Sequence, residues 1–287
     1  LEDSRGELWI GTYGSGLNRF DRRRKSVVNY RFDPNNPRSL SHNNVLSLCE
    51  TPDGAVWVGT EGGGLNRFDR ASSRFTRYRH SVNPNTISHD EITALRVDRH
   101  GNLWIGNNGG SIDVLDLHTH TFRHYKADET NPGALAGTSI MCIYEDPHGT
   151  IWIGSLSGGL HRYDPARDAF VRYSASLPGQ GLNTTTVLSI YEDDNGVVWI
   201  GTYGGGLNRF EKATGKFSYF THTEGLPNDV VYGILPDGRG NLWLSTNKGL
   251  ARFTPASGVF RRYDVKDGLQ GNEVNQGAYF RSRRGEL

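Results

Sequence analysis

The stretch GVVWIGTYGGGLNRFEKATGKFSYF, residues 196–220, combines one tryptophan, a run of glycines and two closing aromatic residues. Nearly the same text, GELWIGTYGSGLNRFDRRRKSVVNY, occupies residues 6–30. Recurrence of a long pattern within one chain indicates a repeat architecture, in which each copy forms one structural unit. We therefore expect the chain to be built from copies of a single supersecondary unit.

Aligning the chain on the pattern G-x-[LIV]-W-[LIV] gives six copies, whose tryptophans are spaced 48, 47, 48, 47 and 44 residues apart. A second pattern, an apolar residue followed three positions later by an aromatic one, begins 18 residues after the tryptophan in five copies and 17 in the sixth. From the aromatic residue of this second pattern to the next tryptophan, the distance varies between 23 and 27 residues. One surface loop per copy is therefore free to change in length. The tryptophans are Trp9, Trp57, Trp104, Trp152, Trp199 and Trp243.

Each copy reads as four short strands, and the second copy shows them clearly. They are NVLSLCE (44–50), VWVGT (56–60), GLNRFD (64–69) and RFTRYRH (74–80), which are rich in β-branched and aromatic residues and separated by Gly, Asn and Asp. A four-stranded sheet repeated at this period is a propeller blade. The sequence therefore predicts an all-β fold, a β-propeller of four-stranded antiparallel blades over residues 1–287, with the start of a further repeat at 274–287.

The tryptophans and turn residues have structural interpretations. Trp57 or Trp199 is expected to fill the wedge between neighbouring sheets, while Gly59 and Gly201 let an adjacent backbone come close. The first two strands are joined by turns of the type DSRG, DRHG, DPHG, DDNG and DGRG. Because Asp bonds the backbone of such a turn and Gly supplies positive φ at its end, these carboxylates are expected to be structural.

Both ends of the chain fall at the same phase of the repeat, which allows two interpretations of how the propeller ring is completed. A strand at residues 275–281 could complete the sheet of residues 7–31 and close a ring of six blades. Alternatively, Gly285, Glu286 and Leu287 begin another tryptophan-type strand, and the chain is a fragment of a seven-bladed or tandem propeller. We favour the second interpretation.

Charge and composition exclude several classes of partner. The chain has 32 Lys plus Arg against 31 Asp plus Glu, which removes the usual electrostatic reason to expect nucleic acid or an anionic membrane as a partner. No stretch approaches the roughly 18 apolar residues of a membrane helix. Cys49 and Cys142 occupy non-equivalent repeat positions, so no disulfide framework is expected.

The repeat closely resembles the two-component regulator propeller repeats. The residues that carry the resemblance are DGAVWVGTEGGGLNRFD (53–69), NGVVWIGTYGGGLNRFE (195–211) and VLSIYEDDNG (187–196). The segment DGLQGNEVNQGAYF (267–280) also resembles the closing repeat of these sensors. Nearly the whole chain is covered by six copies of this long pattern.

The resemblance implies the periplasmic sensor region of a bacterial hybrid histidine kinase or diguanylate cyclase. It also implies a seven-bladed propeller, often two in tandem, followed by an immunoglobulin-like domain as a downstream partner, a membrane helix and a cytoplasmic output enzyme. A homodimer formed through the parent protein is part of the same expectation. The six repeats of this chain depart from the seven-bladed rings of the family.

In a propeller, the loop between blades and the loop between strands two and three open on one face, so that face is the candidate recognition surface. Tyr13 and Tyr203 stand beside glycines, which suits stacking on a flat or sugar-like ligand, although both could be ordinary exposed turn residues. Residues before the first strands form a polar ring that could also be a solvated mouth: Asn44, Glu91, Ser139, Thr186, Asp229 and Glu273. The strand-two-to-three loops contribute Tyr13, Glu61, Asn108, Tyr203, Asn247 and Lys248.

Two copies depart from the repeat, and such departures are either drift or function. The third copy has Asn107 where four others have Thr, Asp113 at an Asn position and Val114 at an Arg position. The sixth loses one loop residue and carries Ser245 in place of the strand-two glycine. Third-strand arginines at one structural position are expected to form a repeated hydrogen bond between blades: Arg19, Arg67, Arg162, Arg209 and Arg252.

Signals for catalysis, metals and cofactors are weak. His118, His120 and His124 have a spacing that could ligate a metal, but they fall on a turn and a fourth strand, so we expect no metal and no cofactor. Glu91 and Glu273 could be imagined as a general acid and base, with nothing in the sequence to fix their separation.

The mild, amide-rich departures from the repeat favour binding over turnover. The expected function is a non-catalytic sensor propeller for a small molecule or oligosaccharide. A propeller enzyme of the streptogramin-lyase or glycan-cleaving type and a protein-interaction scaffold are the alternatives.

Overall fold

The structure is a computed structural model that describes residues 1–175 and 179–287. The described residues form six antiparallel sheets, and their helical content is confined to two 3₁₀ turns, His222–Glu224 and Val265–Asp267. The chain divides into two compact units, residues 1–128 with 138–143 and residues 129–137 with 144–287. The predicted all-β fold of repeated blades is confirmed.

The first unit holds three sheets, each a meander in which consecutive strands pair. Blade 1 has three strands, β1 (Leu8–Gly11), β2 (Leu17–Asp21) and β3 (Ser26–Tyr30). Blade 2 has β4 (Val45–Glu50), β5 (Val56–Thr60), β6 (Gly64–Asp69) and β7 (Arg74–Tyr78), and blade 3 has β8 (Ile92–Val97), β9 (Asn102–Asn107), β10 (Ile112–Asp116) and β11 (Phe122–Tyr125).

The remaining three sheets have four strands each. Blade 4 has β12 (Ser139–Glu145), β13 (Ile151–Leu156), β14 (Gly159–Asp164) and β15 (Ala169–Tyr173). Blade 5 has β16 (Val187–Glu192), β17 (Val197–Thr202), β18 (Leu207–Glu211) and β19 (Lys216–Phe220), and blade 6 has β20 (Val231–Pro236), β21 (Leu242–Thr246), β22 (Gly249–Thr254) and β23 (Val259–Tyr263).

The tryptophans fill the wedges between blades, as predicted. In the first unit the Trp9 indole packs edge-on against Phe68 of blade 2, with ring centroids 5.1 Å apart. In the second unit Trp199 packs in the same way against Phe253 of blade 6, at 5.4 Å. Five of the six indoles are at most 2% exposed, and Trp243 of blade 6 is half-buried. Since an indole buries about 200 Å² of apolar surface, each wedge stabilises the stack by several kcal/mol.

The strand-two glycines allow the close approach that the sequence predicted. A Cβ atom on Gly59 would lie 2.8 Å from the carbonyl oxygen of Ile92, on the first strand of blade 3. A Cβ atom on Gly201 would lie 2.7 Å from the carbonyl oxygen of Val231, on the first strand of blade 6. The glycines therefore set how closely neighbouring sheets stack.

The turn carboxylates are structural, and they do more than the sequence indicated. Asp98 accepts the backbone N–H groups of His100 and Asn102 on Oδ1, while its Oδ2 accepts the indole N–H of Trp104 at 2.8 Å. The pair separated by six residues recurs in three other blades, as Asp3–Trp9, Asp146–Trp152 and Asp193–Trp199. In blade 2 the hydroxyl of Thr51 takes this role toward Trp57 at 3.3 Å.

A buried ionic cluster ties the turns of blade 2 to those of blade 1. The guanidinium of Arg70 lies 2.8 Å from Asp3, 3.2 Å from Glu7 and 3.1 Å from Glu50. Burial alone would raise the pKa of Asp3, but hydrogen bonds from Trp9 and Arg70 hold it below its ordinary value. Asp3, Arg70 and Glu50 therefore link the two blades by ion pairs at this edge of the sheets, and we call such a cluster a charged staple.

Blade 5 repeats this staple at equivalent positions, with a lysine in place of the arginine. Lys212 lies 3.3 Å from Asp146 and 2.5 Å from Glu192, both almost fully buried. Burial raises the pKa of Glu192, and the neighbouring carboxylate of Asp146 adds to the effect, which the Lys212 ammonium opposes. One ammonium thus faces two nearly buried carboxylates, and of these Glu192 is the one whose pKa is raised.

The strand at residues 275–281 that the less favoured six-bladed closure required is not formed in this structure, and blade 1 has three strands. Residues 282–286, which follow this segment, nevertheless form the same turn as the one that opens each copy. Ser282 N–H donates to the Glu286 carbonyl at 2.8 Å, as Asp3 N–H donates to the Glu7 carbonyl at 3.0 Å. Ser282 takes the acceptor role of the usual aspartate, because its hydroxyl oxygen accepts the N–H of Glu286 at 3.0 Å.

Candidate functional site

Within each unit, the loops between strands two and three meet the residues that precede the first strands. In the first unit, Glu61 N–H donates to the Asn44 carbonyl and Asn108 N–H to the Glu91 carbonyl, both at 3.1 Å. In the second unit, Tyr203 N–H donates to the Thr186 carbonyl at 3.1 Å. These bonds place the predicted residues on one edge of their sheets, which we call the loop edge. The opposite edge, with the Asp turns, is the turn edge.

In blades 2, 4 and 5, a third-strand side chain fixes the loop that leads into the blade. In blade 2, Asn66 is fully buried and accepts the N–H of Ser41 at 3.0 Å. Asn208 of blade 5 accepts the N–H of Asn183 at 3.2 Å, and the His161 ring of blade 4 accepts the N–H of Ala136 at 3.0 Å. In every case the partner lies 25 residues earlier in the chain.

A fourth-strand side chain, paired across the sheet with that acceptor, donates to carbonyls of the same loop. Arg77 donates to the Ser39 carbonyl at 2.9 Å and to the Leu40 carbonyl at 3.2 Å. Arg172 donates to the Ala134 carbonyl and Tyr219 to the Gly181 carbonyl, both at 2.7 Å. We call the acceptor and donor together the loop clamp. The recurring third-strand asparagine was a visible signal in the sequence, but its contact with the loop was not predicted.

The first unit gathers an aromatic ring, a carboxylate and an amide on its loop edge. The ring of Tyr13 is 75% exposed, and its hydroxyl lies 3.4 Å from Glu61 Oε1. Asn44 Nδ2 donates to the other oxygen of Glu61 at 2.5 Å. The hydrogen bond and charge of Glu61, together with the more distant charge of Glu91, raise the pKa of Tyr13. Tyr13, Glu61, Asn44 and Glu91 therefore share one polar patch, the Tyr13 patch.

Two histidines in this unit were not predicted and border the same residues. The Nδ1 atom of His42 accepts the N–H of Asn44 at 3.1 Å, and Nδ1 of His89 accepts the N–H of Glu91 at 3.0 Å. A neutral ring that accepts on Nδ1 carries its proton on Nε2, so each ring can donate one further hydrogen bond. The signal was the dipeptide Ser-His two residues before each first-strand position.

Other predicted residues of the first unit lie in different environments. Asn107 is fully buried, and its side-chain oxygen accepts bonds from Gly109 N–H and from the N–H and hydroxyl of Ser111. Asn107 therefore stabilises its own loop, whereas Asn108 is exposed beside it. Ser139 is 4% exposed, and Glu91 is half-buried.

The second unit places the remaining predicted residues on its own loop edge. Tyr203 is 57% exposed, and its backbone carbonyl accepts the hydroxyl of Thr184 at 3.3 Å. Asp229 is paired with the His222 ring at 2.5 Å and caps the His222 N–H at 2.7 Å, so both its oxygens are engaged. Thr186 and Asn247 are half-buried, and Lys248 and Glu273 are exposed.

The expectation that third-strand arginines join neighbouring blades is wrong for three of the five. Arg67 lies 2.7 Å from Asp53, in the turn of its own blade. Arg19, Arg67 and Arg209 pair with Glu7, Asp53 and Glu211, respectively, all within one blade.

The histidines considered for a metal are engaged differently. His124 contacts Asp113 and the Pro84 carbonyl, both at 2.7 Å, and His118 packs against Gly101. Within residues 1–175 and 179–287, no cluster of three metal-ligating side chains occurs. A search of the same residues for a helix long and apolar enough to cross a membrane finds none.

One cleft, of about 550 Å³, lies away from the predicted residues. It is in the second unit, beside β14 and β15, and is lined by Glu129, Asp164, Phe170 and Arg172 among others. The Arg172 guanidinium that forms part of its wall is the donor of the blade 4 loop clamp. Part of the cleft wall is therefore the same Arg172 side chain that holds the loop of blade 4.

Tryptophan-wedged meander sheets with clamped loops on one edge define the chain as a β-propeller protein. It belongs to the two-component regulator propeller family. The family model matches five times, at residues 39–62, 86–109, 134–157, 181–204 and 225–248. No curated protein sequence matches the chain significantly.

Several solved structures share the fold. The extracellular domain of the B. thetaiotaomicron system BT4673, described as a one-component system, is 24% identical with a TM-score of 0.73 over 92% of this chain and 36% of its own. The extracellular domain of the B. thetaiotaomicron hybrid two-component system BT3049 is 22% identical with a TM-score of 0.64, over 93% of this chain and 40% of its own. PorZ of Porphyromonas gingivalis, a surface component of the type-IX secretion system, is 19% identical with a TM-score of 0.66, over 86% and 37%.

This chain thus spans two-fifths or less of the length of these structures. At these identities the likeness establishes the fold alone.

Proposed function

We propose that the chain is a non-catalytic, extracytoplasmic sensor propeller that binds a small hydroxyl-rich ligand, a saccharide, on the loop edge of its first unit. The Tyr13 patch is the observation that carries the proposal. An exposed aromatic face suits the apolar face of a sugar ring, while Glu61 and Glu91 accept hydrogen bonds from hydroxyl groups. The Nε2–H groups of His42 and His89 add donors, so the patch offers both hydrogen-bond acceptors and hydrogen-bond donors to a ligand hydroxyl group.

The patch is also held in place before any ligand arrives. Asn44 fixes the Glu61 carboxylate, and the loop that carries Asn44 is clamped by Asn66 and Arg77. Preorganisation of this kind reduces the conformational entropy lost on binding. It favours recognition of one ligand geometry.

The family and the extracellular domains that share the fold support an extracytoplasmic location, periplasmic in our proposal. The parent protein would continue into an immunoglobulin-like domain and a histidine kinase or diguanylate cyclase output, and would form a homodimer. Ligand binding would shift the populations of two arrangements of that assembly. No nucleic acid or cofactor enters this scheme.

The test is isothermal titration calorimetry of the 287-residue chain against a panel of neutral and acidic oligosaccharides. For a saccharide that binds, Tyr13→Ala should weaken the affinity about tenfold or more, and Glu61→Gln should weaken it while leaving the thermal transition unchanged. Arg24→Ala is the matched control, because Arg24 is an exposed residue on the turn edge of the same blade.

Absence of binding to any saccharide, or affinities unchanged by both substitutions, would refute the proposal. Turnover of a glycan that is abolished by Glu91→Gln would support the propeller-enzyme alternative. Capture of a protein partner through Tyr13 without saccharide binding would support a scaffold.

A further inference from the structure

The loop clamp of blade 3 differs in charge from the clamps of the other blades. Where blade 2 has Asn66 and Arg77, blade 3 has Asp113 and His124, which are paired directly across β10 and β11. Asp113 is fully buried, and its oxygens accept the N–H of Ser88 at 2.8 Å and the hydroxyl of Ser88 at 2.5 Å. Its remaining contact is the ring of His124, whose Nδ1 lies 2.7 Å from Asp113 Oδ1.

Both nitrogens of the His124 ring face oxygen atoms that can only accept. Nδ1 faces the Asp113 carboxylate, and Nε2 lies 2.7 Å from the carbonyl oxygen of Pro84. A neutral imidazole has one N–H donor and one acceptor, so it satisfies only one of these contacts. The imidazolium, with two donors, satisfies both and also neutralises the buried carboxylate.

We propose that Asp113 and His124 form a proton-operated clamp that holds the loop of residues 79–90 on blade 3 at acidic and neutral pH and releases it as the pH rises. The clamp contacts the loop at Pro84 and Ser88, near its middle and its end. Loss of the proton leaves a lone pair of His124 facing an oxygen and leaves the Asp113 charge buried without a counter-ion. The loop then exchanges these contacts for water.

The surrounding charges fit this scheme. Burial alone would lower the pKa of His124, but hydrogen bonds to Asp113 and the Pro84 carbonyl outweigh burial and the nearby Lys126 charge, so the pKa lies above its ordinary value. On the loop itself, Arg79 and Asp90 pair with each other at 3.2 Å. His80 is bound within the loop, through its backbone N–H to Asp90 and its Nδ1 to the Ile87 carbonyl.

The direction of the effect follows from linkage. Because the pKa of His124 is higher in the clamped state than in the open one, the clamp contributes fully below about pH 6.5 and is lost as the pH rises through the raised value. Each unit of pKa difference corresponds to about a tenfold change in the ratio of closed to open loops.

Amide hydrogen exchange of the 287-residue chain, corrected for intrinsic rates, tests the proposal at about pH 6 and about pH 8.5. Protection of the 79–90 loop, and of Ser88 N–H in particular, should fall at least severalfold at the higher pH. The loop of residues 32–44 is an internal control, since Asn66 and Arg77 do not titrate in this range. A histidine NMR titration, assigned by difference from His124→Arg, should show both His124 nitrogens protonated at about pH 6.

Two variants reproduce the clamps of other blades and should fold. Asp113→Asn supplies the carboxamide found at Asn66, and His124→Arg supplies the guanidinium found at Arg77 and Arg172. Both should keep the loop protected and remove its dependence on pH. Equal protection of the wild-type loop at both pH values, an unchanged pH profile in Asp113→Asn, or titration of His124 at or below about pH 6.5 would each overturn the proposal.

Discussion

The carboxylate of Asp193 accepts the indole N–H of Trp199 at 2.8 Å while its other oxygen accepts the N–H groups of Asn195 and Val197. One side chain therefore closes the turn between the first two strands and orients the ring that fills the wedge to blade 6. Local turn chemistry and the packing of neighbouring sheets depend on the same residue. The relationship recurs at Asp3, Asp98 and Asp146.

Asp193→Ala should destabilise the chain by about 2–4 kcal/mol, since it leaves a buried indole N–H and two backbone N–H groups without acceptors. The neighbouring Asp194→Ala is the matched control, because Asp194 is exposed, and it should change stability by less than about 0.5 kcal/mol. Urea unfolding followed by tryptophan fluorescence measures both. Equal midpoints for the two variants would show that the indole contact contributes nothing.

Gly59→Ala should destabilise by about 1–3 kcal/mol, because the new methyl group would clash with the Ser47 hydroxyl of its own blade and lie 2.8 Å from the Ile92 carbonyl oxygen of blade 3. Gly271→Ala is the control, since no atom lies within 4 Å of the added Cβ. Thermal unfolding of the two variants should differ by several degrees. A neutral Gly59→Ala would mean that the stacking distance is not set by this contact.

The two charged staples should respond in opposite directions to the same substitution. At about pH 8, Glu50→Gln should destabilise by about 1–2 kcal/mol, since Glu50 accepts bonds from Arg70 and from the N–H and hydroxyl of Ser4. Glu192→Gln should be neutral or stabilising by up to about 1 kcal/mol, because burial, together with the neighbouring Asp146 carboxylate, disfavours the charged form of Glu192 and raises its pKa.

The pH dependence separates these variants further. The raised pKa of Glu192 means that the folded state binds its proton more tightly than the unfolded state, so wild-type stability falls as the pH rises from about 4.5 through the raised value. Glu192→Gln should lose this slope. Urea midpoints between about pH 4.5 and about pH 8 provide the measurement, and an unchanged slope would contradict the assignment.

His161 should make the second unit sensitive to acid. Burial lowers the pKa of His161 to about 4, because the ring is fully buried and its Nε2 accepts the Ala136 N–H. A depressed histidine pKa gives stability that is present above about pH 6.5 and lost as the pH falls toward 4, up to about 3 kcal/mol.

His161→Asn, which copies the clamp of Asn66 and Asn208, should flatten that acid limb while keeping the fold. The check is the urea midpoint of wild type and variant at about pH 4.5 and about pH 7. An acid limb of the same size in both proteins would assign the loss of stability to other groups.

Much of the fold was predictable because its signals are local. The tryptophan period, the strand ranges around 44–80 and the Asp-to-Gly turns follow from residue types within one repeat, and the structure places strands at Val45–Glu50, Val56–Thr60, Gly64–Asp69 and Arg74–Tyr78. The sequence left two closures open, since the pairing of a strand at 275–281 would depend on a sheet far away in the chain, and no strand forms there. The third-strand arginines failed for a related reason, because spacing gives a position but not the partner that a long side chain reaches.

The candidate site was predictable as an edge but not as a set of contacts. Variable loop length located it, and the exposed Tyr13 and Tyr203 lie there. Asn107, by contrast, is buried and bonds its own loop, and the roles of His42 and His89 were missed although both stand at the same repeat position. Which polar residue faces solvent depends on loop backbone bonds that no short pattern encodes.

By itself, then, the sequence determined the repeated unit: the strands, the turns and the apolar indole that must be buried between sheets, because these follow from alternation and turn chemistry within about 25 neighbouring residues. Only the tertiary structure decided the pairings that cross from one blade to the next, such as Arg70 with Asp3 and Asn66 with Ser41. The same holds for Asp113 and His124, which become a shared proton site only when β10, β11 and the loop before them converge. Buried polar groups must find partners, and the stacking of the sheets selects which partners lie within reach.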